Sequence, residues 1–357
     1  TERRAMPSGR DLGSALGVPY LGTTPVAKDG KLSADREKPM RAVLVAKGGA
    51  LTWSDVAEPK PRPGEVVIDI EAAGVNRADL MQRAGSYPPP AGWPEWMGLE
   101  VSGHISYAPE GSRWRVGDAV CALLGGGGYA QRVAVPEALV LPVPSGLSMV
   151  EAAALPEALA TVYLNLRLEA GLAAGDIVFI QAGASGLGVA AIGLVKALGG
   201  RVVTTVGSQA KAEFVRALGA DTVVVRGTDD LAAALDSQPP DIALDCVGGA
   251  ELALGLAKMA PGGRWVVIAT LGGALAEIDM NSFFRRGLRL IGSTLRSRSP
   301  EAKARLMAAL EQEVWPLLAN GTLRPVIHQA LPMTEADAAQ GILRERANLG
   351  KVVLTRA

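Results

Sequence analysis

The feature that most constrains this chain is a glycine turn, Gly183-Ala184-Ser185-Gly186-Leu187-Gly188. It lies between the apolar run Ile177-Val178-Phe179-Ile180 and a helical stretch from Leu187 to Leu198. Glycines let the backbone turn sharply and approach a ligand closely. A helix that begins there offers unpaired N–H groups and a partial positive charge, which suits a pyrophosphate. The spacing G-x-x-G-x-G departs from the common G-x-G-x-x-G, and a glycine trio alone could be a purely structural turn. Its place between a buried strand and a helix favours dinucleotide binding. Strand-like runs follow at Arg201–Val206, Thr222 to Val225, Asp241 to Asp245, Arg264 to Ile268 and Leu288 to Ile291, with helix-like stretches between most of them, Gln209 to Leu218 among them. This alternation predicts an α/β fold with a doubly wound parallel sheet.

The end of the second strand bears on the choice of dinucleotide. NAD enzymes usually carry a carboxylate about 20 residues past the glycine turn, where it accepts from the ribose hydroxyls. Here the chain reads Val206-Gly207-Ser208-Gln209-Ala210-Lys211, without a carboxylate to repel a 2′-phosphate. Ser208 can donate a hydrogen bond and Lys211 brings a positive charge, so NADPH is the expected cofactor. On the other reading Gly207-Ser208 merely caps the helix and Lys211 is a solvated surface residue.

The region from Met40 to about Leu155 has a different texture. Short apolar runs such as Arg41 to Val45 and Glu65 to Glu71 are separated by recurrent turn residues: Gly74, Gly85, Pro88-Pro89-Pro90, Gly98, Gly103 and Gly117-Asp118. That is the pattern of a β-rich domain with long loops. Gly125-Gly126-Gly127-Gly128 reads either as a strand-turn element or as a mobile loop at a substrate mouth. From Met149 to Leu172 the chain is rich in Ala and Leu and helical in character. Beyond Ser299 one amphipathic helix, Glu301 to Leu318, precedes a short tail ending in Lys351-Val352-Val353-Leu354. Residues 1–39 lack periodicity and are expected to be a poorly ordered extension. They contain no apolar core of a secretory signal.

Lys and Arg together number 36, as do Asp and Glu, so nothing in the charge balance points to nucleic acid or a membrane surface. No apolar run reaches the roughly 18 residues of a spanning helix. The two cysteines, Cys121 and Cys246, are far apart in apolar runs and read as buried thiols in a reducing, cytoplasmic setting. Two His and two Cys in the whole chain cannot form the converging ligand sets of catalytic and structural zinc sites. His104 and His328 read as hydrogen-bonded structural residues. A metal-free site must polarise its substrate without a metal or act on one that needs little polarisation. Quinones meet that condition, because hydride uptake yields an aromatic hydroquinone anion. Alignment of the reactants and a donor to the developing oxyanion then suffice.

Several motifs in order resemble the zinc-free quinone oxidoreductase branch of the medium-chain dehydrogenase/reductase superfamily, the group that includes zeta-crystallin. They are Asn76-Arg77-Ala78-Asp79-Leu80-Met81-Gln82-Arg83, Gly85-Ser86-Tyr87, Gly98-Leu99-Glu100-Val101-Ser102-Gly103, the Gly183 to Gly188 turn, Gly207-Ser208-Gln209, Leu244-Asp245-Cys246-Val247-Gly248-Gly249 and Leu295-Arg296-Ser297-Arg298. The resemblance spans Met40 to Ala357. It implies a GroES-like catalytic domain made from both chain ends (residues 40–158 and 296–357), a Rossmann NADPH-binding domain (residues 159–295) and an active site in the cleft between them. By the same resemblance, Asn76, Asp79 and Tyr87 are the catalytic candidates, with Tyr87 also reaching over the nicotinamide. Thr161 lies against the cofactor. Ser185, Gly186 and Leu187 hold the pyrophosphate, and Gly207, Ser208 and Lys211 meet the 2′-phosphate. Ala269, Thr270 and Leu271 lie beside the nicotinamide ribose, and Leu295, Arg296 and Ser297 close the cleft. In metal-dependent relatives the place of Asn76 holds a Cys ligand and that of Leu99 a His ligand. Glu100 remains and is expected to be structural.

The reaction this implies is NADPH-dependent reduction of quinones. A second enzymatic reading is reduction of the C=C bond of α,β-unsaturated carbonyls. A third, from a different class, is an NADPH-binding sensor whose catalysis is incidental. A homodimer is expected by family analogy, with the edge strand near Arg289 to Gly292 as its seam.

Overall fold

The computed structural model describes residues 39–357, so the expectation for the N-terminal extension, Pro39 apart, lies outside the described residues. The strand–helix alternation forms a six-stranded, wholly parallel sheet. Its strands run in the order Thr222–Val225, Arg201–Val206, Ile177–Ile180, Ile242–Asp245, Arg264–Val267, Arg289–Gly292. This is the doubly wound order, with the chain reversing direction across the sheet beside Ile177–Ile180. Helices cover both faces, which is why the inner strands Ile177–Ile180 and Ile242–Asp245 are buried at every position. Trp265 is fully buried beneath the helix Gly249–Lys258, close enough that a side chain at Gly255 would strike its ring. Removing that indole would cost about 3–5 kcal/mol.

The β-rich part is a seven-stranded sheet drawn from both ends of the chain. Its order is Ile327–Pro332, Lys351–Thr355, Glu65–Val75, Glu100–Tyr107, Ala119–Leu123, Val140–Pro142, with Arg132–Pro136 also paired to Glu65–Val75. The eleven-residue strand Glu65–Val75 is its axis: the second half pairs with Lys351–Thr355 and the first half with Arg132–Pro136. Register shifts near Val67/Ile68 and Ile70/Ala72 curl it towards a barrel, the GroES-like form the resemblance implies. A hairpin of Met40–Val45 and Leu51–Val56 lies alongside.

Four local readings are refined. The helix expected over Glu301 to Leu318 is two, Pro300–Glu313 and Trp315–Ala319, because Pro316 has no N–H for a continuous ladder. The stretch after Pro156–Val162 widens into seven residues of π-helix, Tyr163–Glu169. Cys246 lies just past the end of its strand and is partly accessible, whereas Cys121 is buried. The four glycines from Gly125 to Gly128 are buried, not a mobile mouth: a side chain at Gly125 would meet the Trp93 ring at 2.6 Å. No helix among the described residues is long and apolar enough to cross a membrane.

Candidate active site

The glycine turn projects from the C-terminal end of Ile177–Ile180 and opens the helix Gly186–Ala197. Ser185 caps that helix, its Oγ accepting from Gly188 N at 3.0 Å. Ser185, Gly186 and Leu187 remain partly accessible, so the helix N-terminus is open to an anion. Each glycine has a steric reason. A side chain at Gly183 would collide with Thr204, and one at Gly188 would meet Ala182 O at 2.5 Å and Gly183 O at 2.6 Å. The motif Asp245-Cys246-Val247-Gly248 is a second turn at the same sheet edge. Buried Asp245 shapes it by accepting from Val247 N (2.7 Å), Gly248 N (2.8 Å) and Trp265 Nε1 (2.8 Å).

Beyond Arg201–Val206, Gly207 and Ser208 are exposed, and Ser208 caps the helix Gln209–Ala217. Lys211 donates its ammonium to Arg346 O, across to the C-terminal segment. Arg346 is one of two non-glycine residues among those described that adopt a positive φ, 56°. Burial, with the Arg346 charge second, holds the Lys211 ammonium below its ordinary pKa, and the same two causes lower Arg77. Lys211 and Arg346 thus meet beside the Ser208 cap, and Arg77, which donates to Leu343 O at 2.6 Å, feels the Arg346 charge. Sequence reasoning missed Arg346, which lies 135 residues from Lys211.

The other side of the cleft is built on the helix Arg77–Arg83. Asn76 is its cap, with a reciprocal bond from its backbone N to Asp79 Oδ2 at 2.7 Å. Asp79 also accepts from Tyr129 Oη (2.9 Å) and Gly98 N (3.2 Å) and has no exposed surface. Burial pushes its carboxyl up to about 6 despite these bonds. Asp79 is therefore a folding element sealed from any substrate, a correction to its place among the catalytic candidates. Asn76 is partly accessible. Its Nδ2 donates to Glu100 Oε1 at 2.9 Å and its Oδ1 accepts from Lys351 Nζ at 2.8 Å. Lys351 also pairs directly with Glu100, and both are buried. Glu100 Oε2 accepts from the backbone N of Glu157 at 2.9 Å. Gly74 has no side chain because one there would overlap the Glu100 carboxylate. Lys351 had no expected role, yet its stem lies against Gly186 and its head holds Glu100, so one side chain joins the glycine turn to the β-rich sheet.

Tyr87 is partly buried beneath the Arg296 guanidinium, 4.8 Å from its ring centroid. Arg296 is buried and fully engaged with protein groups. It donates to Gly125 O (3.0 and 2.6 Å), Tyr87 O (3.0 Å) and Gln82 Oε1 (2.7 Å). It clamps the four-glycine segment to Tyr87, and Leu295 beside it is buried, while Ser297 is exposed. Thr161 is partly accessible and donates to Glu157 Oε1 at 3.4 Å. Ala269 is partly accessible after Arg264–Val267, and Thr270 and Leu271 are exposed.

No group of three His, Cys, Asp or Glu able to hold a metal occurs among the described residues. The Lys351 ammonium fills the space between Asn76 and Glu100. His104 pairs with Glu71 at 3.0 Å and His328 accepts from Leu349 N at 3.3 Å, both away from this cluster.

A doubly wound sheet with an open glycine turn, packed in one chain with a curled β-rich sheet, is the architecture of an oxidoreductase that binds a nicotinamide dinucleotide. Comparison with known proteins agrees. The zinc-binding dehydrogenase family matches residues 186–312, and the alcohol dehydrogenase GroES-like domain matches residues 62–145. The quinone oxidoreductase of Sus scrofa is 29% identical over 332 residues, covering 90% of this chain and 99% of that protein. Two solved structures share the fold. An NAD-dependent alcohol dehydrogenase has a TM-score of 0.76 and 29% identity, covering 89% of this chain and 100% of the other. The CurK enoyl reductase has a TM-score of 0.76 and 25% identity, covering 90% and 100%. The chain belongs to the medium-chain dehydrogenase/reductase superfamily, in its quinone oxidoreductase branch.

Proposed function

We propose that this protein is an NADPH-dependent, zinc-independent quinone reductase. The observation that carries the cofactor choice is the meeting of Lys211 with the Arg346 segment beside the Ser208 cap, with no carboxylate from Val206 to Lys211. Like charges held together await an anion, and a 2′-phosphate supplies it. Ser185, Gly186 and Leu187 hold the pyrophosphate, and Gly207, Ser208 and Lys211 the 2′-phosphate. Thr161, Tyr87, Ala269, Thr270 and Leu271 flank the nicotinamide. Leu295, Arg296 and Ser297 act from behind, through the clamp on Tyr87. When bound, the cofactor supplies a hydride. Asn76, fixed by Glu100 and Lys351, presents its amide to the developing oxyanion, so an ammonium-anchored amide works where metal-dependent relatives place zinc.

The quinone assignment draws on the Sus scrofa relative. The likeness to the CurK enoyl reductase favours enones as the second acceptor class, since both reactions deliver hydride and leave an oxyanion. A homodimer is part of the proposal. The edge strand Arg289–Gly292 has an open side, with Leu290, Met280, Phe284 and Leu275 exposed nearby. A second copy would cover that edge. The free thiols of Cys121 and Cys246 fit a cytoplasmic setting. The test is NADPH and NADH oxidation with parallel panels of quinones and enones, with and without a chelator. Quinone-dependent NADPH oxidation indifferent to the chelator is expected. Preference for NADH, loss with the chelator or inertness to quinones would refute it.

A further inference from the structure

Glu157 enters none of the contacts just proposed, yet it stands among them. It is the second residue of Pro156–Val162, the helix that starts at the junction of the two sheets. Its backbone N–H on Glu100 Oε2 fixes it to the Glu100–Lys351 pair, and through the Lys351 stem to the glycine turn. Thr161, one turn on, donates to its carboxyl. The charged and titratable groups around it are Glu100 and Asp79, Lys351 and Arg296, and Tyr87 and Lys303. The three cations bond elsewhere: Lys351 to Asn76 and Glu100, Arg296 to its clamp, and Lys303 to Arg296 O at 2.6 Å. Glu157 is thus a carboxyl at the site that faces other carboxylates yet keeps an accessible edge. Burial first, and the Glu100 charge second, push it up to about 8.

We propose that Glu157 is the catalytic acid that protonates the reduced acceptor; this rests on the reductase reading above. Hydride uptake moves two electrons and one hydrogen to the quinone or enone, leaving a mono-anion and the oxidised cofactor. The Glu157 O–H bond then breaks, its electron pair stays on the carboxylate, and the proton bonds to the acceptor's anionic oxygen. Water restores the proton through the accessible edge. The uncharged acid donates without setting a negative charge against the incoming acceptor, and Thr161 steadies the resulting carboxylate.

The test compares the native chain with Glu157→Gln and Glu157→Asp. In Glu157→Gln, kcat is expected to fall about 100-fold to 1000-fold, the range for a lost general acid, while NADPH affinity read by cofactor fluorescence stays the same. Native kcat is expected to decline above about pH 8 and to show a solvent deuterium effect; the Gln variant is expected to show neither, and the Asp variant to regain part of the rate with the alkaline decline. Infrared difference spectra against the Gln variant read the protonated carboxyl directly, without turnover. A Gln variant with full kcat and the native alkaline decline overturns the proposal. So does a Glu157 already ionised at pH 6 in a chain that reduces acceptors, which leaves the reductase reading intact. Inertness of the native chain to every acceptor removes the reductase reading and the donor role together.

Discussion

Replacing Lys351 by Met tests the arrangement at the junction most directly. Met keeps the stem that lies on Gly186 and deletes the ammonium. Glu100 is left with Asn76 Nδ2 and Glu157 N as donors, each at 2.9 Å, and no counter-charge in a place with no exposed surface. Breaking a buried pair from one side costs about 3–5 kcal/mol. The two surviving donors place this case near the lower end, about 3 kcal/mol, or roughly a hundredfold in the unfolding equilibrium. For a cooperative unit of this size that is roughly 5 °C in Tm. Urea unfolding followed by tryptophan fluorescence, with calorimetry alongside, measures it. The double variant Lys351→Met with Glu100→Gln should recover most of the loss, because the orphan charge has gone. A loss below about 1 kcal/mol, or a double variant as unstable as the sum of its parts, would refute the claim that a buried charge pair links the two sheets.

Gly188→Ala places a methyl against the carbonyls of Ala182 and Gly183, which cannot yield without unwinding the turn. NADPH affinity should fall more than about tenfold, with lower thermal stability, by cofactor fluorescence and melting. Lys211→Ala and Arg346→Ala should each raise the KM for NADPH about tenfold to a hundredfold, as charge-assisted bonds are lost, and leave that for NADH nearly unchanged in initial-rate assays. Asp79 makes stability depend on pH with a definite sign. Its folded pKa, about 6, lies above the ordinary 3.8, so the folded state keeps a proton that the unfolded chain releases. Stability from this group is full below about pH 4 and falls by about 3 kcal/mol as pH rises through about 6. The difference between native and Asp79→Asn unfolding energies, followed from pH 4 to 7, should trace that loss; a flat difference would sink it.

The parallel sheet was legible because buried strands are unbroken apolar runs and the helices between them are amphipathic. Boundaries moved by a residue or so. What the sequence hid was side-chain destination. Asp79 reads as a candidate acid beside Asn76, but an acidic residue three places after an Asn cap is also the signature of a capping box, and burial decides between them. Glu157 looks like an ordinary first-turn acid. Its chemistry comes from Glu100, 57 residues earlier, and Lys351, far later. Lys351 did leave a trace: a charged residue leading the apolar run Val352-Val353-Leu354 of a buried strand must find a partner. Arg296 was read as a cofactor contact because its motif adjoins the cleft, but only the fold shows its donors already taken by Gly125, Tyr87 and Gln82.

The strand Lys351–Thr355 lies between Ile327–Pro332 and Glu65–Val75, near one end of the β-rich sheet but against its longest strand. It is also translated after every other strand of that sheet. The residues from Ile177 to Gly292 are contiguous and can assemble their sheet while later segments are still being synthesised. The β-rich sheet must wait with the exposed edge of Val75 to Ala72 until Lys351–Thr355 has left the ribosome. During that interval the glycine turn already exists but lacks the lysine that ties it to the other sheet. The order of synthesis thus delays the junction of the two sheets until Lys351–Thr355 has docked, and the half-made chain is most exposed to mispairing at that waiting edge.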